Sequence, residues 1–198
     1  RAQVRKAKEA PRMEDGGLAL REQMDAGEIS EQDLMTETLT RIDAVNGTVN
    51  AIVSLRDADV LMADAAAADA SPKQGWLHGI PMAIKDLANA AGLPTSMGSP
   101  LFAGTQADTD DVAIARLRSA GAIIIGKTNT PEFGLGSHSI NRVFGATGNP
   151  YDPARSAGGS SGGAGVGLAT SMLIVADGSD MMGSLRSPAG WNNVYGMR

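Results

Sequence analysis

The reactive side chains of this sequence crowd into a glycine- and serine-rich run at residues 158–163, which reads GGSSGG. Part of the run matches the nucleophile-elbow pattern G-x-S-x-G, which would make Ser160 the nucleophile of an α/β-hydrolase. Such an enzyme needs a strand directly before the serine and a histidine after it. Residues 149–157 instead hold two prolines, and no histidine follows Ser160. The pattern therefore disfavours a Ser-His-Asp triad, and we interpret His138 as a loop or packing residue.

A second run, GAIIIGKT at residues 121–128, matches the phosphate-loop pattern letter for letter. A phosphate loop needs an open turn in the middle and a helix that begins at the lysine. Here the middle is three β-branched isoleucines, and Pro131 disfavours a helix just beyond. We interpret the run as a buried strand that ends in a turn, so nucleotide binding is not expected.

Lys85 is the candidate base for a serine enzyme that has no suitable histidine. It lies inside an apolar stretch, residues 80–87, where a charge is costly to bury. Neutrality near pH 7 requires the pKa to fall by about three units from about 10.4, a cost of about 4 kcal/mol. Two alternatives stay open on the pattern alone: an ion pair with Asp86, or a side chain that reaches outward to solvent.

Composition narrows the function classes further. The 198 residues hold 17 Lys+Arg against 22 Asp+Glu, and the basic residues form no stripe, so neither nucleic acid nor a membrane surface is an expected partner. The chain has no Cys, and His78 and His138 are too few for a metal cluster, so we expect no metal and no cofactor. Of the 25 glycines, 14 lie between Gly134 and Gly196.

Hydrophobic periodicity predicts alternating helices and strands, which is the α/β pattern. One helix opens with a capping box at Ser30 and Asp33. The other predicted helices cover residues 18–27, 57–70 and 110–120, and the predicted strands cover residues 51–55, 80–87 and 123–125. In such folds ligands collect at the ends of strands.

Five separated motifs, in order, resemble the amidase signature family. They occupy residues 79–86, 126–134, 144–155, 158–163 and 178–189. The resemblance runs from about Leu20 to the last residue. It implies the amidase signature fold, a mixed central β-sheet flanked by helices on both faces.

The resemblance also implies a Ser-cisSer-Lys triad. Ser184 matches the nucleophile, Ser160 the bridging serine that follows a cis peptide bond, and Lys85 the buried base. The backbone N–H groups that would form the oxyanion hole are those of Met181, Met182, Gly183 and Ser184. Many members of the family have a small residue and a glycine where this chain has the two methionines.

Three further residues are expected to support that site. Asp180 and Arg186 are expected to hold the nucleophile loop through hydrogen bonds, and Ser161 to donate to the proton relay. No role in contact with the substrate is expected for any of them.

The implied activity is hydrolysis of linear carboxamides through an acyl-enzyme, with release of ammonia or an amine. The alternative is the glutamine-hydrolysing amidase subunit of an aminoacyl-tRNA amidotransferase. That subunit typically reads DEFAMG where residues 131–136 read PEFGLG, and has Asn after its lysine where this chain has Asp86. Both differences favour the stand-alone amidase. A non-catalytic interaction protein is disfavoured, because only catalysis needs Lys85, Ser160 and Ser184 together.

Members of that family run to roughly twice this length. We therefore expect residues 1–198 to be the N-terminal half of a single amidase domain, with residues 1–12 a processed or flexible end. The expected partner is a small-molecule amide, with neither nucleic acid nor membrane, and a homodimer is left open. A cytoplasmic location is expected, and export is left open because the sequence begins without Met.

Overall fold

The structure is a computed structural model that describes residues 11–198. Most of the expected processed end, residues 1–10, lies outside the described residues. The helices are α1 (Gly16–Asp25), α2 (Glu31–Val49), α3 (Ala58–Asp69), α4 (Val112–Ser119), α5 (Gly162–Ala169) and α6 (Arg186–Trp191). The strands are β1 (Ile52–Val53), β2 (Pro81–Lys85), β3 (Ile123–Thr128), β4 (Ile140–Asn141) and β5 (Gly145–Ala146).

The central sheet has the strand order β1-β3-β2. β3 is parallel to β2 and antiparallel to β1, so the sheet is mixed. In the parallel pair Pro81 lies opposite Ile123 and Lys85 opposite Thr128. This register brings the carboxyl ends of β2 and β3 to the same edge, where Lys85 is the last residue of its strand.

Helices cover both faces of this sheet because successive strand residues point to opposite sides. Ile123 and Ile125 pack with residues of α2, α3 and α5. Ile124, Met82 and Ile84 pack with residues of α1 and α4 on the other face. The predicted α/β class and the mixed sheet flanked on both faces are confirmed.

The helix boundaries follow local chemistry. At the start of α2 the Ser30 hydroxyl accepts from the N–H of Asp33, and the Asp33 carboxylate accepts from the N–H of Ser30, which is the predicted capping box. At Gly163 the helix α5 packs directly on backbone, because a Cβ there would collide with the N–H of Asn129 just beyond β3. This close approach places the start of α5 beside the carboxyl end of the sheet.

Several element boundaries differ by one or a few residues from the sequence prediction, and two of them, in β3 and β2, lie next to Lys85. β3 continues to Thr128, so Lys127 lies within a strand, whereas we predicted that the strand ends at Ile125. The reason is that the last residues of β3 pair with β1 on one side and β2 on the other. The strand predicted over residues 80–87 is shorter in the structure and ends at Lys85. Among the described residues, no helix is long and apolar enough to cross a membrane.

Candidate active site

Lys85 lies at the carboxyl end of β2 with 1% of its surface exposed. Its ammonium group is surrounded by hydroxyls: Nζ lies 2.7 Å from Ser160 Oγ, 2.9 Å from Ser161 Oγ and 2.9 Å from Ser179 Oγ. Within residues 11–198 it forms no salt bridge. A hydroxyl can either accept from an ammonium or donate to a neutral amine, so these partners suit both protonation states.

Burial lowers the pKa of Lys85 to about 8, because desolvation disfavours the charged form. The negative charges of Asp177 and Asp180 act in the opposite direction and keep the pKa from falling further. A lysine in this state holds a substantial neutral fraction just above neutral pH. Neutral lysine is the form that accepts a proton.

The alternative pairing of Lys85 with Asp86 is not what the structure shows. The Asp86 carboxylate lies on the other side of the strand, where Oδ1 is 3.6 Å from Lys127 Nζ. It also accepts hydrogen bonds from the N–H and the hydroxyl of Ser96. Lys85 is thus left with hydroxyl partners, and the outward-reaching alternative is excluded by its burial.

The serine loop before α5 presents its side chains to Lys85. The Gly159–Ser160 peptide bond is cis, as the sequence resemblance implies. Ser161 N donates to Ser184 O at 2.9 Å, which ties this loop to the loop that carries Ser184. A Cβ at Gly159 would lie 2.9 Å from the N of His138, so the loop packs tightly against the neighbouring backbone.

Asp180 organises the loop that carries Ser184. Its carboxylate accepts from the N–H of Gly183 at 2.7 Å and from the N–H of Leu185 at 3.2 Å. It also accepts from the N–H and from the guanidinium of Arg186, which lowers the pKa of Asp180 well below its usual range. The hydrogen bonds expected of these two residues are present, and they hold the loop in a tight turn.

The turn leaves backbone donors unengaged. Gly183 has a positive φ of 100° and gives its N–H to Asp180. The N–H groups of Met181, Met182 and Ser184 donate to no other residue in the described part of the chain. Three of the four candidate oxyanion donors are therefore free to bind a ligand.

Ser160 and Ser184 line one cavity of ≈ 430 Å³. No hydrogen bond joins their hydroxyls among the residues that the structure describes. Leu87, Phe133 and Leu135 supply apolar walls, and the described lining of the cavity includes no charged side chain. In the same range of residues no group of three or more His, Asp or Glu side chains could hold a metal ion.

Sequence reasoning missed two residues of this site. Ser179 is the third hydroxyl partner of Lys85, and Asp177 accepts the backbone N–H of Lys85 at 2.8 Å. Both belong to the loop that leads to Ser184, with Ser179 directly before Asp180 and Asp177 three residues before it. Their position beside a predicted nucleophile loop was the available signal, but their contact with Lys85 spans more than ninety residues of sequence.

The fold and this arrangement of residues define a class of protein, and comparison with known proteins identifies it. The model of the family described as Amidase matches residues 33–198. That range contains Lys85, Ser160 and Ser184. The chain belongs to the amidase family.

Relatives within the family carry different names. The chain is 39% identical to a glutamyl-tRNA(Gln) amidotransferase subunit of Corynebacterium jeikeium (strain K411), over 90% of this chain and 37% of that protein. It is 40% identical to an acylamidase of Rhodococcus erythropolis, over 86% of this chain and 36% of the relative. The native peptide amidase from Stenotrophomonas maltophilia superposes with a TM-score of 0.84 at 34% identity, over 91% of this chain and 39% of that structure. The chain thus spans little more than a third of the length of these relatives.

Proposed function

We propose that this chain carries the catalytic residues of an amidohydrolase that cleaves linear carboxamides. The observation that carries the proposal is the environment of Lys85, a buried amine bound by three hydroxyls and paired with no carboxylate in residues 11–198. A lysine buried only for stability would be expected to have a carboxylate partner. A lysine that acts as a base works better without one, because a carboxylate would hold its proton.

In the proposed reaction, neutral Lys85 takes the proton of Ser160 while Ser160 takes the proton of Ser184. The Ser184 oxygen attacks the amide carbon, and a tetrahedral oxyanion forms. Lys85 then returns the proton through Ser160 to the leaving nitrogen, the C–N bond breaks, and ammonia or an amine departs. Water hydrolyses the acyl-enzyme by the same relay in reverse, which yields a carboxylate and free Ser184.

The proposed oxyanion hole is formed by three of the four backbone N–H groups expected from residues 181–184, since Gly183 gives its own to Asp180. Those of Met181, Met182 and Ser184 support the proposal because no described residue accepts from them. Gly183 contributes by its backbone angle, which turns the chain, while Asp180 accepts its N–H. Removing one such donor typically costs about 10²–10³ in turnover.

A second candidate function is the glutamine-hydrolysing subunit of an amidotransferase, because several relatives are named as amidotransferase subunits. Residues 131–136 and Asp86 differ from the pattern typical of that subunit and favour the stand-alone amidase. The two functions share the same catalytic residues and differ in the substrate.

The experiment compares Ser184→Ala with the control Ser187→Ala, since Ser187 lines the same cavity. Hydrolysis of hexanamide, benzamide and glutamine is measured as ammonia release, and hydroxylamine is added to trap the acyl-enzyme as a hydroxamate. We expect Ser184→Ala to lose at least about 10³-fold in turnover and all hydroxamate, with Ser187→Ala close to wild type. Near-normal turnover by Ser184→Ala contradicts the nucleophile assignment. Turnover of glutamine alone favours the second function.

A further inference from the structure

Two methionines stand beside the proposed nucleophile with their side chains uncovered. Met181 is 78% exposed and Met182 is 87% exposed, and both line the cavity that contains Ser184. Most of the other described methionines are in the core. The buried ones are Met13, Met24, Met35, Met82 and Met172. Met197 is 75% exposed but lies outside this cavity.

The loop that carries the two methionines is fixed through its backbone and not through their side chains. Asp180 accepts from Gly183, Leu185 and Arg186 and so closes the turn. Because the turn is closed without them, the thioethers at its tip need no packing partner. Their sulfur atoms are accessible to any small molecule that reaches the proposed substrate cavity.

Exposed thioethers react with peroxides to give methionine sulfoxide. A lone pair on Sδ takes one oxygen atom of hydrogen peroxide, the O–O bond breaks, and the second oxygen leaves as water with both protons. Sulfur is oxidised and the peroxide is reduced. The chain contains no Cys, so no thiol competes for the oxidant.

We propose that Met181 and Met182 form a modification site at which hydrogen peroxide oxidises the protein and stops amide hydrolysis. The inference rests on the proposed function. The sulfoxide oxygen is a strong hydrogen-bond acceptor, and unengaged N–H groups of residues 181, 182 and 184 lie on the same turn. A sulfoxide that occupies these donors removes them from the oxyanion, and it also turns an apolar wall of the cavity polar.

The test treats the full purified chain with hydrogen peroxide and follows two quantities. Peptide mass spectrometry measures the gain of about 16 Da at each methionine, and ammonia release measures activity. We expect oxidation at Met181 and Met182 to precede oxidation of the buried methionines, and turnover to fall at least about tenfold in step with it. Methionine sulfoxide reductases should restore turnover.

The variant that isolates the site is the double substitution Met181→Leu and Met182→Leu, which keeps apolar bulk and removes sulfur. Each protein is compared with its own untreated activity. The double variant should keep most of its activity after peroxide, whereas the control Met197→Leu should lose activity like wild type. Full turnover with both sulfoxides present overturns the inference, as does peroxide sensitivity that persists in the double variant.

A protein without the proposed amidase activity would give a different result in this experiment. In that case the untreated protein releases no ammonia from any amide. The site-resolved oxidation still tests the modification site, because preferential oxidation of Met181 and Met182 is then measured by mass alone. Oxidation at Met197 with residues 181 and 182 unmodified overturns the modification site whatever the activity.

Discussion

Lys85 and Lys127 lie on adjacent parallel strands, are 1% and 0% exposed, and have different partners. Lys127 Nζ lies 3.6 Å from the Asp86 carboxylate, donates to the Thr95 hydroxyl at 3.1 Å and also donates to the Ala88 carbonyl. Lys85 has hydroxyl partners in place of a carboxylate. Burial lowers the pKa of both lysines, and at Lys127 the charge of Asp86 opposes the shift.

The difference indicates separate roles for two residues of the same type. A carboxylate partner stabilises the charged form, so Lys127 is suited to hold Asp86 and the loop behind it. Without such a partner, Lys85 is suited to exchange a proton. Burial alone therefore does not identify a catalytic lysine, and the partner atoms do.

The substitution Lys85→Met should reduce turnover more than any other change considered for these two lysines. This substitution removes the proposed base and keeps similar volume, so we expect a loss of about 10²–10⁴-fold in ammonia release. The free energy of unfolding should change by less than about 2 kcal/mol. Relief of the burial cost, about 3 kcal/mol for a pKa lowered from 10.5 to about 8, offsets hydrogen bonds worth about 1 kcal/mol each.

Denaturant unfolding at several pH values compares the free energy of unfolding of Lys85→Met with that of wild type. Because the folded-state pKa of Lys85 lies below its unfolded value, the unfolded chain binds more protons between about pH 8 and 10.5. Wild type should therefore gain stability relative to Lys85→Met as pH rises through that window. A Lys85→Met protein with normal turnover contradicts the assignment of the base.

The second prediction concerns Lys127→Met, which should lower the free energy of unfolding. It leaves the buried Asp86 carboxylate without its cation, which typically costs about 3–5 kcal/mol. We expect a lower urea midpoint with little change in the slope of the transition. The double variant Lys127→Met, Asp86→Asn should recover part of the loss, because the unpaired charge is then absent. A single variant as stable as wild type contradicts the structural role of Lys127.

This contrast shows where sequence reasoning succeeds and where it stops. The apolar stretch around Lys85 made it the candidate base, and the family resemblance supported that choice. Strand alternation explains why its neighbour Asp86 turns toward Lys127 instead. The pairing of Asp86 with Lys127 was missed because it depends on the register of β2 against β3. A local pattern does not specify that register.

The prediction of secondary structure likewise succeeded where local residues decide it and fell short where distant residues do. The capping box at Ser30 depends on residues three apart, and the helix was predicted from it. The full extent of β3 depends on both neighbouring strands and was underestimated at Thr128. Ser179 and Asp177 reach Lys85 only after a long loop has folded back over the sheet edge, so no spacing rule locates them.

The weakest of the predicted effects is a shift in the pKa of Lys85 when a nearby negative charge, that of Asp177, is removed. Asp177 faces the backbone N–H of Lys85, and its negative charge raises the pKa of that lysine. Lys127, Asp180 and, through Lys127, Asp86 are the other charged groups around this position. Burial raises the pKa of Asp177 itself, while the N–H and charge of Lys85 favour its ionised form.

The substitution Asp177→Asn isolates this charge, because the side-chain oxygen still accepts the N–H of Lys85 but the negative charge is removed. The acidic limb of the pH–turnover profile, expected near pH 8 in wild type, should therefore move to lower pH by less than about one unit. Asp152→Asn is the control, because Asp152 is paired with Arg155 at the surface. An unmoved limb in Asp177→Asn contradicts a charged Asp177 at the working pH, and burial opposed by the charge of Asp180 then sets the pKa of Lys85.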